Sequence, residues 1–308
     1  MNVILRTIVP ILLLIGTGLL SRKLEVLNSG DERVLSSYVY YFALPALYFI
    51  TMSETQFTVQ KVTFMFAALI PILVAVTVLT FLYLILRFSS ETFYLIILST
   101  VFGSLAFFGI PFISFAFPNG GESTSTLATV AISPLSVTIS ILVLELYKTG
   151  ETTLLTTLKI VLKRLAKNPL IISIIAGILF ALSGIQIPTY IADPLHMLGG
   201  TTATVAIFML GVFLYGREYT NIAQALKLSV LRIIFLPLIA FSITLFFNLS
   251  TLQRSTIILL NGMPVAISMI ILSERYNFYK KTIASLILIM SLAAGAYLNL
   301  WLFLLGQY

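Results

Sequence analysis

Two short stretches hold the residue types with the most scope for chemistry: Gly109-Ile110-Pro111 and Asn261-Gly262-Met263-Pro264. Each proline removes a backbone donor and clashes with the carbonyl four residues before it, while each glycine lets the chain leave helical geometry. Both stretches lie in long apolar surroundings, where freed N–H and C=O groups must be buried in protein or line an aqueous cavity. A helix broken there presents the amino end of its second half, with partial positive charge, and such an end suits a carboxylate. Asn261 is costly to place in hydrocarbon and is the first choice for a substrate or ion contact. Its alternative role is an amide stitching two helices. The alternative for the two stretches together is a pair of ordinary proline kinks packed against neighbours.

Other chemistries are mostly closed. There is no cysteine, so disulfides, thiolate metal sites and cysteine nucleophiles are excluded, and a single histidine, His196, rules out a two-histidine metal or catalytic arrangement. No Gly-x-Ser-x-Gly elbow occurs, which argues against an intramembrane hydrolase. No catalytic residue, resident metal or cofactor is therefore expected. No Asp, Glu, Lys or Arg falls near the middle of an apolar stretch; Glu91 and Glu145 lie near ends. That weakens proton coupling, and leaves sodium held by carbonyl and hydroxyl oxygens, or uniport, open. A site without a fixed cation would attract an anion through helix dipoles and amide donors.

The elements that must position these residues follow from composition. Of 308 residues, 59% are apolar and 9% charged, with a mean hydropathy of +1.08. A soluble domain is about a quarter charged, so the chain is an integral membrane protein. Apolar stretches of roughly the length needed to cross hydrocarbon occur at about 3–21, 32–50, 62–86, 91–116, 124–147, 169–186, 192–216, 224–247, 255–273 and 282–305. They are too long and too uniformly apolar for barrel strands, so the expected fold is all-α with ten transmembrane helices. Of the 18 basic residues, only Arg6, Lys61 and Arg254 fall on one side. The others, Lys227 and Arg232 among them, are assigned to the loops after odd-numbered spans. The positive-inside rule puts that second set in the cytoplasm and both termini outside.

The longest connection, 148–168, separates residues 1–147 from 169–308, each with five spans, so the halves run in opposite directions. Within it Leu154, Leu155, Leu158, Val161, Leu162 and Leu165 recur at helical spacing, which predicts an amphipathic helix on the inner leaflet, in contact with lipid. A regulatory docking site is the alternative. Pro10 and Gly18 match Pro169 and Gly177 at one offset, and Pro71 matches Pro237. The two Gly-x-Pro stretches match each other as well. Four pairs in register with the span count point to a duplicated five-helix unit, an arrangement that places transporter sites at the repeat interface.

Several motifs resemble the auxin efflux carrier family. They are Tyr41-Phe42-Ala43-Leu44-Pro45-Ala46-Leu47, Phe108-Gly109-Ile110-Pro111, Asn168-Pro169-Leu170, Met209-Leu210-Gly211, and Met263-Pro264-Val265-Ala266 running on to Ser273-Glu274-Arg275-Tyr276-Asn277. The match runs in order over nearly the whole chain, and the short central linker is similar to compact prokaryotic members. The resemblance implies two inverted five-helix repeats whose fourth and ninth spans break and cross. It also implies a transport domain moving against a scaffold of spans one, two, six and seven, a small organic anion as substrate, and a homodimer. It places the site around Ser104 to Pro111 and Asn261 to Pro264. Ser104 and Ser268 stand where relatives often have Asn, and Thr204 where proline is frequent, so the substrate of plant carriers is not transferred.

Among single residues, Ser104 is a substrate contact or satisfies itself on its own helix. Pro45 either kinks the second span toward the cavity or packs in the scaffold. Asn168 caps the helix begun by Pro169, and His196 has an interfacial role. The functional expectation is a secondary transporter for a small organic anion, working by alternating access in the inner cell membrane. The alternative is a receptor or channel on the same inverted-repeat fold. Nucleic acid is not an expected partner.

Overall fold

The computed structural model describes residues 3–149, 154–216 and 219–307. The helices are α1 (Val3–Lys23), α2 (Asp31–Tyr38), α3 (Leu44–Ser53), α4 (Val59–Leu86), α5 (Ser90–Val101), α6 (Ile110–Ala116) and α7 (Gly121–Thr149). They continue with α8 (Leu154–Leu165), α9 (Pro169–Ser183), α10 (Thr189–Leu214), α11 (Ile222–Val230), α12 (Leu236–Thr244), α13 (Thr251–Asn261), α14 (Ser268–Tyr276) and α15 (Lys280–Leu304). The described residues hold no strand, only an isolated antiparallel bridge between Gly103 and Val265.

Among the described residues, seven of the ten expected spans are helices long and apolar enough to cross a membrane, or eight if the bent pair Lys159–Leu165 and Pro169–Ser183 is one span. The stretches at 91–116 and 255–273, expected to be broken, are each two short helices, α5 with α6 and α13 with α14. Their length is lost to irregular backbone at 102–104 and 262–267. The first break is not where the sequence placed it. Gly109 is helical, with φ −67° and ψ −50°, and the chain leaves the helix at Phe102–Ser104.

Gly109 belongs to one of three five-residue π-helical segments: Val39–Ala43, Leu105–Gly109 and Leu231–Phe235. Each is followed at the second position by a proline, Pro45, Pro111 or Pro237. A proline has no N–H for the carbonyl four residues earlier and its ring crowds that oxygen. A wider turn ahead of it relieves the crowding at little cost in hydrogen bonds. Proline alone does not force this, since Pro10, Pro71, Pro134 and Pro194 lie inside regular helices. Pro71 and Pro237, matched in sequence, therefore differ in local geometry.

The chain divides into two compact units, neither of them a contiguous half. The first comprises Met1–Val59, Ala106–Val130 and Ala166–Arg217, and so holds the helices of the expected spans one, two, six and seven. Its packing depends on glycines where helices touch. A Cβ on Gly18 of α1 would overlap the carbonyl oxygen of Phe208 on α10, and one on Gly211 of α10 would overlap that of Ile15. A Cβ on Gly177 of α9 would come 2.7 Å from the Phe49 carbonyl of α3. Small residues at such contacts let apolar helices approach closely in lipid. Gly18 and Gly177, paired in sequence, thus have the same structural role. Asn168 caps α9, its side chain accepting from the Leu170 N–H at 2.9 Å, as its place before Pro169 predicted. His196 Nε2 lies 2.8 Å from Glu54 Oε1, both side chains about half exposed.

The second unit comprises Gln60–Leu105, Ala131–Leu165 and Glu218–Tyr308. Within it α15 packs against α11, α13 and α14, and α12 packs against α13. The Trp301 indole donates to the Ile233 carbonyl at 2.8 Å, tying α15 to the π-helical turn before α12. The linker forms α8, with Val161 buried and Leu162 exposed. The side chains of Leu154, Leu155 and Leu158 lie outside the described residues. Arg164 of α8 bonds the Tyr276 hydroxyl and pairs with Glu145 at 2.6 Å, and Tyr276 donates to Glu145 at 2.5 Å. The linker helix is thereby fastened to the ends of α7 and α14, and Glu145, at a span end as expected, is buried with its charge compensated.

Candidate functional site

The centre of the second unit is a crossing of two extended segments. α5 ends at Val101 and α13 at Asn261, and the chain beyond each is drawn out long enough to pair with the other. The Ser104 N–H donates to the Pro264 carbonyl at 2.7 Å, and the Ala266 N–H to the Phe102 carbonyl at 3.0 Å. These two bonds flank the Gly103–Val265 bridge. Backbone that has left helical geometry inside an apolar protein must find partners, and each broken segment supplies them to the other. Pro264 helps dictate the break, because it cannot donate and it biases Met263 away from helical dihedrals.

Breaking two helices also leaves carbonyl oxygens at two carboxyl ends without helical donors. Local turns satisfy some of them, the Met263 N–H donating to the Leu260 carbonyl at 3.2 Å and the Gly103 N–H to that of Val101 at 3.0 Å, and one side chain supplies further donors. Arg232, from the π-helical segment before α12, donates through Nε to the Met263 carbonyl at 2.6 Å and through Nη2 to the Leu260 carbonyl at 3.4 Å. Its Nη1 donates to the Thr100 carbonyl. The side chain is buried, at 1% exposure. Its hydrogen bonds all go to backbone oxygens, and no carboxylate pairs with it among the described residues. Each helix carboxyl end carries about half a negative charge, so two of them nearly balance one guanidinium. Gly103 makes the room, since a Cβ there would overlap Nη2 and lie 2.5 Å from Cζ.

Arg232 corrects two expectations. It does not belong with the cytoplasmic loop charges, and the crossing is not without a fixed cation. Counting charges by loop missed it because it was grouped with Lys227 although it stands well inside the apolar stretch at 224–247. The available signal was Arg232 five residues before Pro237 with apolar residues on both sides, where an unpaired charge is too costly to be incidental.

Of the residues singled out from sequence, Ser104, Asn261, Gly262 and Pro264 meet at the crossing, and Ser268 opens α14 just beyond it. Ser104 and Asn261 are buried. The Asn261 amide donates to the Ile257 carbonyl at 2.8 Å, one turn back in its own helix, rather than to a second helix. Pro45, Gly109 and Pro111 belong to the first unit, where Pro45 and Pro111 each follow a π-helical turn. Sequence reading passed over Ser99 of α5, Ser136 of α7, Thr256 of α13 and Tyr297 of α15. These are buried in the second unit, with hydroxyls that have no partner among the described residues. Ligand groups could pair with them. No group of three His, Asp or Glu able to hold a metal ion occurs among the described residues.

The arrangement is a buried backbone crossing that holds a guanidinium, in a unit that also buries hydroxyls unpartnered among the described residues. Residues 3–302 match the family profile described as Membrane transport protein. The chain is 25% identical over 299 residues to an uncharacterized transporter of Methanocaldococcus jannaschii, covering 94% of this chain and 95% of that protein. It is 22% identical over 308 residues to the uncharacterized transporter YfdV of Escherichia coli K12, covering 96% of each.

Proposed function

Because the chain belongs to the membrane transport protein family, that of the auxin efflux carriers, we propose that it is a secondary transporter moving a small organic anion by alternating access. The family is one of membrane transporters rather than enzymes. The observation that supports the choice of substrate class is Arg232, which offsets the partial negative charge of the two helix carboxyl ends at the crossing, so that an entering anion is not repelled there. A carboxylate entering there meets the amino end of α14 and the hydroxyls of Ser104 and Ser268. Ser104, Asn261 and Ser268 are the side chains we assign to it, with the breaks at Gly262 and Pro264 shaping the space.

The proposed architecture is ten spans in two inverted repeats, with α5–α6 and α13–α14 each one broken span and α9 the sixth. An inverted repeat exchanges spans one and six, and spans two and seven. It therefore turns the contact of α1 with α10 into that of α9 with α3, and both contacts are made through matched glycines. The working form is a homodimer in the inner cell membrane with both termini outside. Cysteines introduced at the exposed positions Lys148 and Ser250 should then be labelled from opposite faces by a membrane-impermeant maleimide. Labelling of both from one face would overturn the topology.

The deciding experiment is counterflow in liposomes loaded with malate, malonate, succinate, lactate or indole-3-acetate, with sodium, pH and potential gradients imposed separately. Saturable exchange of one class is expected. No exchange of any anion by folded protein would turn the assignment to a receptor, and currents too large for a carrier would turn it to a channel.

A further inference from the structure

We propose that Arg232 is a tethered cation. It fills the place at which the carboxyl ends of two crossing half-helices would otherwise hold a free monovalent ion, and the crossing therefore requires no sodium. Carbonyl oxygens at the ends of broken membrane helices converge into cation sites, because several partial negative charges point at one spot where water is scarce. Here oxygens from both broken segments, Thr100 on one side and Leu260 and Met263 on the other, converge on one group. That group is a guanidinium supplied by a third segment, and a guanidinium stays charged under any condition the protein meets.

Three features separate this from an arginine that merely fills space. Its donors Nε, Nη1 and Nη2 each reach a different carbonyl, so the planar fork is matched to the acceptors. Gly103 is cut away where the fork lies. The charge lacks a carboxylate partner among the described residues, so the two helix ends are what balances it. A free ion held by these oxygens could leave with the substrate and couple its gradient to transport. A tethered one cannot leave, so the crossing keeps its charge through every step of the cycle. In this respect the inference rests on the carrier reading; the ion site itself does not depend on it.

The test compares variants of the full chain in detergent and in liposomes. Arg232→Lys keeps a positive charge on a flexible stem, and Arg232→Gln keeps donors and much of the bulk without the charge. Arg232→Gln should lose about 6 to 10 °C in unfolding midpoint, and Arg232→Lys less than half of that loss. In Arg232→Ala, millimolar guanidinium should restore the midpoint saturably, whereas urea, of the same shape but neutral, should not. If Arg232→Ala cannot be obtained folded, the Lys–Gln comparison decides alone. The wild type should show no saturable stabilisation by sodium over choline. Arg232→Gln as stable as Arg232→Lys would overturn the proposal, as would rescue by urea equal to that by guanidinium or a saturable sodium effect on the wild type. In the flux arm, counterflow should be equal in sodium and choline. Sodium-dependent flux would count against the tethered cation. An absence of flux alongside the predicted stabilities would count against the carrier reading alone.

Discussion

Gly103→Ala should destabilise the protein by about 3 kcal/mol or more, close to the cost of breaking a buried ionic interaction from one side. Gly103 is not among the residues with positive φ, so alanine can adopt its backbone and the cost is steric. The added methyl would overlap the end of a long side chain, and a flexible side chain usually swings away cheaply. This one cannot, because the guanidinium is buried and each donor is committed to a carbonyl at the crossing. Moving it strands the Thr100 and Met263 carbonyls, at about 1–3 kcal/mol each if left unpaired, while the Leu260 oxygen keeps the Met263 N–H, and it leaves a cation without its balancing helix ends. The same loss should follow Arg232→Gln, so the two changes should not add. Denaturation of both single variants and the double variant completes the cycle, and a coupling of about 1.5 kcal/mol or more is expected. Strict additivity would mean that Gly103 and Arg232 act separately.

What was legible in the sequence had a local cause. Gly262-Met263-Pro264 breaks its helix because proline and glycine act on the backbone next to them, and Asn168 caps because proline follows it. The first break was misplaced for the same reason. Gly109-Ile110-Pro111 carries the same signal, but a π-helical turn absorbs the proline and Gly109 stays helical. The chain opens instead at Gly103, where the constraint comes from Arg232, more than a hundred residues away in sequence. Non-local chemistry left no comparable mark. The Glu145–Arg164–Tyr276 cluster joins three helices through residues that each look like an ordinary charge or aromatic near a membrane surface. The seven long helices were readable from hydropathy alone. Hydropathy shows each broken pair as one stretch because it measures transfer from water and is indifferent to which backbone bonds are made, so the breaks had to be read from glycine and proline.

Alanine at Gly18 or Gly211 should cost the first unit about 2–3 kcal/mol, the range for overpacking a tight contact. Alanine at Gly16 or Gly200 should be neutral or stabilising by up to about 1 kcal/mol, the gain in helix propensity. All four glycines lie in α1 or α10, so propensity treats them alike and only the surroundings differ. A Cβ on Gly18 would meet the Phe208 carbonyl oxygen, with the Val212 nitrogen at 2.9 Å and the Gly211 Cα at 3.0 Å. A Cβ on Gly211 would meet the Ile15 oxygen, with the Ile15 carbon and the Leu19 nitrogen at 2.9 Å. These obstacles are backbone, which has no rotamer to change, so the helices themselves must separate along their contact. Gly16 and Gly200 have nothing within 4 Å. Unfolding midpoints in detergent should therefore split the variants into two groups, and four equal midpoints would show that α1 and α10 are not held at this distance. Gly177→Ala extends the test to the repeat. Its Cβ would lie 2.7 Å from both the Phe49 oxygen and the Met52 Cβ, so it should fall with Gly18 if the α9–α3 contact is the inverted copy of α1–α10. A tolerant Gly177 beside an intolerant Gly18 would leave the repeat as a similarity of sequence without equivalence of load.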